Sequence, residues 1–190
     1  MESATESPAP PAADPAAPGD GLILDPNAYS APHLEPADEA RIRSTIEWFE
    51  TRGKAELKTA DREHRWYSDY LEHQAEEGIF ARFLTPARDG GGDPERRWDT
   101  QRICQFSEVS AFYGLAYWYT WQVSILGLGP IFQSENEIAR ARAAKLLDLG
   151  AIFAFGLSER AHGADIYSTD MVLTADGDGY RANGGKYYIG

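Results

Sequence analysis

The 190-residue sequence contains a single cysteine, no long apolar run and fewer basic than acidic residues. The single cysteine, Cys104, excludes an internal disulfide framework and a cysteine-rich metal site. Because it lies within a helical pattern, we expect it to be a small buried apolar residue. No apolar run approaches the roughly 18 residues of a membrane span. The net charge of −12 argues against a nucleic-acid partner, which requires clustered Lys and Arg.

The N-terminal segment lacks Lys and Arg altogether and is rich in proline. Residues 1–36 hold eight of the eleven prolines and no Lys or Arg. Such a composition has little to bury, so we predict that residues 1–34 form a disordered tail. The segment has neither the basic start of a secretory signal nor the Arg-rich character of a transit peptide, which makes a cytoplasmic protein the default expectation.

The chain that follows has a helical apolar period. Ile42, Ile46 and Phe49 follow Pro36 at helical spacing, which predicts a first helix that ends near Gly53.

Three further segments continue this helical part. A second helix is predicted over about 55–77, with a left-handed cap at Gly78. The sequence TPARDGGGDPERR (85–97) is typical of a loop. The denser apolar pattern over 98–132 indicates the central helices of a bundle.

The last helix of this part has a recognisable start and end. Ser134 and Glu137 form the S-x-x-E pattern of a capping box, and Gly150 is a plausible C-terminal cap. We therefore predict an N-terminal all-α helical bundle domain over 35–150.

After residue 150 the pattern changes to that of a sheet. Aromatic and aliphatic residues alternate with small ones over 151–157, and STDMVLT (168–174) has strand-like composition. The turns are predicted at 176–179 and at 183–184, the second as a two-residue hairpin that leads into the strand 186–190. So few strands leave an open edge and an unfilled core. We therefore expect 151–190 to be the beginning of an antiparallel β-domain in a truncated α+β chain.

The loop FGLSERAHGAD, from Phe155 to Asp165, interrupts this sheet pattern. It offers the hydroxyl of Ser158, several backbone amides and a glycine, which suit an anionic or heteroaromatic ligand. The alternative is a surface turn whose Glu159 and Arg160 are solvated. His162 has no second His or carboxylate at ligand spacing, so we predict no metal site. The common nucleotide-phosphate loops and the G-x-S-x-G elbow are absent from the sequence.

The order of elements, with the motifs F-x-L-S-E-x-x-x-G-x-D and N-G-x-K-x-Y-I, resembles the amino-terminal half of the acyl-CoA dehydrogenase family. The resemblance implies a flavoprotein oxidoreductase of fatty acid metabolism that uses FAD to oxidise the Cα–Cβ bond of an acyl-CoA. It also implies a homodimer or homotetramer. The electron acceptor, a flavoprotein or oxygen, stays open.

The same resemblance assigns site residues. Ser158 and the Leu157 backbone would bond the pyrimidine edge of the flavin, and Phe155 would line the same wall. Cofactor contacts are further implied at Gly163, Ala164, Tyr188 and Gly190. Ala164 is also placed beside the substrate.

Some of these positions depart from the family pattern. Arg160 replaces a proline, Ala164 a pyrophosphate-contacting serine and Gly190 a flavin-contacting threonine, while Tyr188 stands where the family carries a tryptophan. Backbone amides can still bond a cofactor at such positions.

Two aromatic residues of the central helices are candidates for the acyl pocket. Tyr117 and Trp121 share one helix face where the family's helices wall that pocket. The alternative, which helical spacing favours, is that both pack in the core.

The catalytic base is the missing part of this interpretation. The family takes it from its C-terminal part, and no residue here matches it, so we expect the chain alone to be inactive. Two other functions remain open. One is a flavin monooxygenase or oxidase related to acyl-CoA dehydrogenases, and the other is a non-catalytic helical remnant or interaction module.

Overall fold

The computed structural model describes residues 24–163, 165 and 167–189. Residues 1–23 of the predicted tail lie outside the described residues. So do Ala164 and Gly190, which were predicted to contact the cofactor.

In the part of the chain that the structure describes, six α-helices precede a two-stranded sheet. The helices are α1 (Pro36–Arg62), α2 (Ser68–Glu76), α3 (Ile79–Leu84), α4 (Thr100–Tyr113), α5 (Leu115–Gln133) and α6 (Glu137–Asp148). The strands are β1 (Val172–Asp176) and β2 (Gly179–Asn183), and short 3-10 helices cover Pro26–Ala28 and Ala87–Asp89. The chain is therefore mostly helical with a small antiparallel sheet, in agreement with the α+β class. None of these helices combines the length and the apolarity that a membrane crossing needs.

The first helical region is interrupted at the two glycines where an interruption was predicted and at one further residue. Gly53 has φ +72° and interrupts the helical geometry inside α1, and Gly78 has φ +64° as predicted. The prediction of one helix over 55–77 is wrong, because the chain leaves helical geometry at His64, which has φ +53°. Trp66 lies in this break and is 63% exposed. Without a buried partner at this point, the helix has nothing to hold it together.

Helix α5 lies at the centre of the helical part and contacts α3, α4 and α6. The core around it includes the buried side chains Trp121, Phe83, Phe106, Ile42, Ile79, Leu84 and Leu128.

Helix α6 begins differently from the prediction. Its N-cap is Asn136, whose Oδ1 accepts from the Ala139 amide at 3.0 Å. The predicted capping box of Ser134 and Glu137 is wrong, because the Ser134 hydroxyl instead donates to the Ile131 carbonyl at the end of α5. Gly150, with φ +78°, follows α6 as predicted.

The hairpin turns at Gly177 and Asp178, between the paired residues Asp176 and Gly179. The prediction of a hairpin turn at 183–184 is wrong. A Cβ at Gly184 would come within 2.8 Å of the Met171 Cα, so this glycine permits a close approach of two segments. Neither 151–157 nor 185–189 is a strand in the structure, which also corrects the prediction. The segment 151–157 is nevertheless free of helix and leads directly into the predicted cofactor loop.

Residues 24–34, predicted as part of the disordered tail, are ordered. Leu24, Tyr29 and Ala31 are buried in the main core, and the Tyr29 carbonyl accepts from Arg43 Nη2 at 2.7 Å. The prediction failed because the proline-rich average over 1–36 hid three apolar side chains that can be buried.

The inward face of α4 carries an arginine, whereas Cys104 is exposed. The prediction of a buried Cys104 is therefore wrong. Arg102 is 0% exposed, and Ile103 beside it is also buried.

Arg102 forms an ion pair with Asp38, which is 2% exposed, in the first turn of α1. The distance from Arg102 Nη1 to Asp38 Oδ1 is 2.8 Å. The other carboxylate oxygen of Asp38 lies 2.7 Å from Arg97 Nη2. Burial lowers the pKa of the Arg102 guanidinium, and the attraction of Asp38 opposes this shift.

The same guanidinium also holds the loop between α3 and α4. Arg102 Nη2 donates to the carbonyl of Arg82 at 2.6 Å, to that of Glu95 at 3.0 Å, and to that of Arg97. Its plane lies over the Phe83 ring, with the Cζ atom 4.4 Å from the ring centroid. One buried side chain thereby joins α1, α3, α4 and the connecting loop.

We predict that Arg102→Met destabilises the protein by about 3–5 kcal/mol, because it leaves one oxygen of the buried Asp38 carboxylate without its charged donor. Urea unfolding followed by circular dichroism measures the change. The control is Arg65→Met, which removes exposed ion pairs with Glu56 and Glu63 and is expected to leave the unfolding midpoint nearly unchanged. Equal midpoints for wild type and Arg102→Met would contradict the role assigned to this pair.

Candidate functional site

The extended segment after α6 packs directly against α5. The Phe153 amide donates to the buried Ser124 hydroxyl at 3.0 Å. Gly127 allows this contact, since a Cβ there would lie 2.7 Å from the Ala154 carbonyl oxygen and 3.0 Å from the Phe153 Cβ. Helix α5 thus fixes the segment that leads into the predicted cofactor loop.

A groove of about 580 Å³ lies between the N-terminal half of α5 and this segment. We call it the α5 groove. Trp118 and Tyr119 line it from α5, and Ile152, Phe153 and Ala154 line it from the extended segment. The remaining lining residues are Trp66, Tyr67, Leu115, Ala116, Thr120 and Val123. Most of this surface is apolar or aromatic and no residue of the lining is charged, so the groove suits an apolar chain.

Beyond the groove, the loop is held by the carboxylate of Glu159, which is only 5% exposed. Lys186 Nζ donates to it at 2.7 Å, and the Asp170 amide donates at 2.7 Å. The Thr169 hydroxyl and the Met171 amide also donate to this carboxylate, the amide at 3.2 Å. The alternative of a solvated Glu159 is therefore wrong, because its neighbours in space supply donors that its neighbours in sequence do not.

These bonds decide the charge of Glu159. The bond from Lys186, followed by those from Thr169 and the Asp170 amide, lowers the pKa of Glu159 to about 2. Glu159 therefore stays ionised over the physiological pH range, and it ties the loop to the residues on both sides of the hairpin.

His162 and Asp170 lie beside this carboxylate, with His162 Nε2 3.2 Å from Asp170 Oδ2. Donor atoms of Glu159, His162 and Asp170 lie within 4.8 Å of one another, so carboxylates are close to His162 in space. However, the Lys186 ammonium occupies the Glu159 carboxylate, and a cation would have to compete with it. The arrangement therefore orders the loop.

The predicted flavin contacts that the structure describes lie on two adjoining segments. Lys186 Nζ donates to the Leu157 carbonyl at 3.0 Å, and the Tyr187 amide donates to the Ser158 carbonyl at 2.9 Å. These bonds bring Phe155, Leu157 and Ser158 close to the segment that carries Tyr188. Tyr188 itself is 92% exposed with φ +58°, and Gly163 is exposed.

The Ser158 hydroxyl is half-buried and has no hydrogen-bond partner among the described residues. None of the described residues therefore competes with a ligand for this donor.

The two candidate substrate contacts in α5 are buried side chains. Trp121 is fully buried, and its indole N–H donates to the Ser107 hydroxyl at 3.0 Å. Tyr117 packs edge-on against Phe49 and Tyr70. Neither lines the α5 groove, whose aromatic walls in this helix are instead Trp118 and Tyr119, the neighbours of Tyr117.

Sequence reasoning missed the residues that hold the loop. Lys186 was recognised only as a letter of the N-G-x-K-x-Y-I motif, and Thr169 only as part of a strand pattern. The one available indication was a carboxylate and a lysine in two motifs whose neighbouring residues, Ser158 and Tyr188, the resemblance assigns to the same cofactor.

Comparison of the chain with models of known families, with curated proteins and with solved structures finds no match.

We predict that the Glu159 carboxyl group titrates near pH 2, far below the ordinary value of 4.5. Its pKa is lower in the folded state, so its contribution to stability is complete above about pH 4.5 and is lost as the pH falls towards 2. NMR titration of the side-chain carboxyl carbon measures this pKa. In Lys186→Met the midpoint should rise towards the ordinary value, whereas an unshifted midpoint near 4.5 in the wild type would contradict the hydrogen-bonded geometry.

Proposed function

We propose that this chain is the amino-terminal part of an FAD-dependent acyl-CoA dehydrogenase. The proposal starts from the resemblance of its two motifs and of its element order to that family. The observation that carries it is the α5 groove, an apolar space that ends at Ala154, next to Phe155, where the predicted flavin loop begins.

This continuity suits the reaction. A dehydrogenase of this kind must hold an apolar acyl chain with its Cα–Cβ bond against the flavin. The groove would take the chain among Trp118, Tyr119 and Ile152. The loop that follows it without interruption would take the flavin.

The Ser158 hydroxyl, which has no partner among the described residues, fits the cofactor. It would donate to the pyrimidine edge of the flavin, together with the backbone of Leu157, while Phe155 would form an apolar wall. Bound FAD supplies the hydride acceptor. A donor at the ring edge stabilises the negative charge that develops during hydride transfer.

Glu159 and Lys186 would act as positioning residues in this function. Their ion pair fixes the backbone on both sides of Ser158, so that its hydroxyl needs little reorganisation when a ligand binds. The carboxylate base of the reaction would come from the C-terminal part of the enzyme, as it does in the acyl-CoA dehydrogenase family.

We predict that Ser158→Ala weakens FAD binding by about 1.5–3 kcal/mol, or ten- to a hundredfold, which is the value of one hydrogen bond to a charged group. The measurement is FAD titration by flavin fluorescence, with the protein expressed from its natural gene. Thr174→Ala, which removes an exposed hydroxyl of β1, is the control. No FAD binding by the wild type, or equal affinity for both variants and wild type, would contradict the assignment.

A second prediction concerns the α5 groove. Ile152→Glu places a carboxylate in it and should weaken octanoyl-CoA binding about tenfold or more, because an unpaired charge is costly in apolar surroundings. Ile138→Glu adds the same charge on α6 at an exposed position outside the groove. Calorimetric titration with octanoyl-CoA compares the two variants. Equal affinities of Ile152→Glu and Ile138→Glu for this ligand would show that the acyl chain binds elsewhere.

A further inference from the structure

A second groove, of about 690 Å³, opens on the other side of the start of α5. It lies between the second half of α1 and the corner where α4 meets α5. Its apolar wall includes Leu57, Phe112, Tyr113 and Tyr117. Two lysines of α1, Lys54 and Lys58, also line it, and we call it the lysine groove.

Lys54 and Lys58 are four residues apart, so they project from the same face of the helix. Both are exposed, and neither lies within 4.0 Å of a carboxylate oxygen in the part of the chain that the structure describes. In the same described part, arginines are paired repeatedly, for example Arg52 with Asp69 and Arg65 with Glu56.

The protein carries a net charge of −12, but at this apolar wall the two lysines outnumber Asp61, the one carboxylate among the lining residues. Long side chains of this kind can cover an apolar surface with their stems while their charged ends stay in water.

We infer that the lysine groove binds an amphipathic anion with a single long alkyl chain. The chain would lie on the apolar wall of Leu57, Tyr113 and Tyr117, and the anionic head would be held by Lys54 and Lys58. The volume is within the range of about 300–1,000 Å³ that is typical of small-molecule sites. The lysine groove adjoins the α5 groove, with which it shares Tyr67, Leu115 and Ala116, but the inference does not depend on dehydrogenase activity.

The test compares three probes of equal chain length, each kept below its solubility limit or, where it has one, its micelle-forming concentration. Dodecanoate is anionic, dodecanol is neutral and dodecyltrimethylammonium is cationic. Calorimetric titration into the full chain at low salt should show the tightest binding for dodecanoate, and its affinity should fall as salt is added.

The decisive variant reverses both charges. Lys54→Glu/Lys58→Glu should weaken dodecanoate binding about tenfold or more and reduce the difference between dodecanoate and dodecanol. Arg142→Glu/Lys145→Glu, on exposed positions of α6, makes the same change of net charge away from the groove and should bind like the wild type.

Ile152→Glu separates the two grooves, because Ile152 lines only the α5 groove. It should leave dodecanoate binding unchanged. Dodecanoate binding that is lost in Ile152→Glu but retained in Lys54→Glu/Lys58→Glu would overturn the assignment, and so would equal affinity for dodecanoate and dodecanol. Sedimentation with phosphatidylglycerol vesicles without binding of dodecanoate would also overturn it, in favour of a membrane surface.

Discussion

The buried ion pair of Asp38 and Arg102 is the constraint on which the helical part depends. Two charged side chains that are almost fully buried must be paired and hydrogen-bonded, since an isolated charge in such a position would be very unfavourable. The carbonyls of Arg82, Glu95 and Arg97 accept from Nη2 of this guanidinium, whereas its buried Nε has no partner among the described residues. These carbonyls come from the end of α3 and from the following loop, so the hydrogen bonds of Nη2 also determine where that loop runs. With α4 held in this way, α5 packs on it and both grooves take their shape.

A second buried charged group, the carboxylate of Glu159, orders the loop of the candidate site in a similar way. Glu159 collects donors from Thr169, Asp170, Met171 and Lys186. The residues of β1 and β2 are all exposed, so the hairpin contributes no apolar core that could order the neighbouring loop. Hydrogen bonds to one carboxylate order it instead, and they leave the Ser158 hydroxyl available to a ligand.

Much of the helical organisation could be predicted from the sequence, and the reason is local. Gly53, Gly78 and Gly150 all adopt positive φ, a conformation that glycine tolerates at no steric cost. The apolar spacing of Ile42, Ile46 and Phe49 reports one helix face, and all three side chains are buried. Such features depend on the residue and its nearest neighbours in the chain.

The errors arose where distant residues compete. Asn136 and Ser134 are both good cap residues, and only the end of α5 decides that Ser134 is already engaged. The pairing of Asp38 with Arg102 spans 64 positions, and neither residue carries a local pattern that reveals its partner. The loop of the candidate site has one feature of each kind. Its position after a non-helical segment depends on the local sequence and could be predicted. The burial of Glu159 depends on distant residues and could not.

The central functional claim is that the loop from Phe155 to Ser158 and the α5 groove serve one reaction. Anaerobic mixing of acyl-CoA thioesters with the flavin-loaded protein, expressed from its natural gene, tests it most directly. The proposal predicts that the flavin absorbance bleaches with an acyl-CoA and that the corresponding enoyl-CoA forms in equal amount. A flavin that stays oxidised with every acyl-CoA of short, medium and long chain would contradict the proposal.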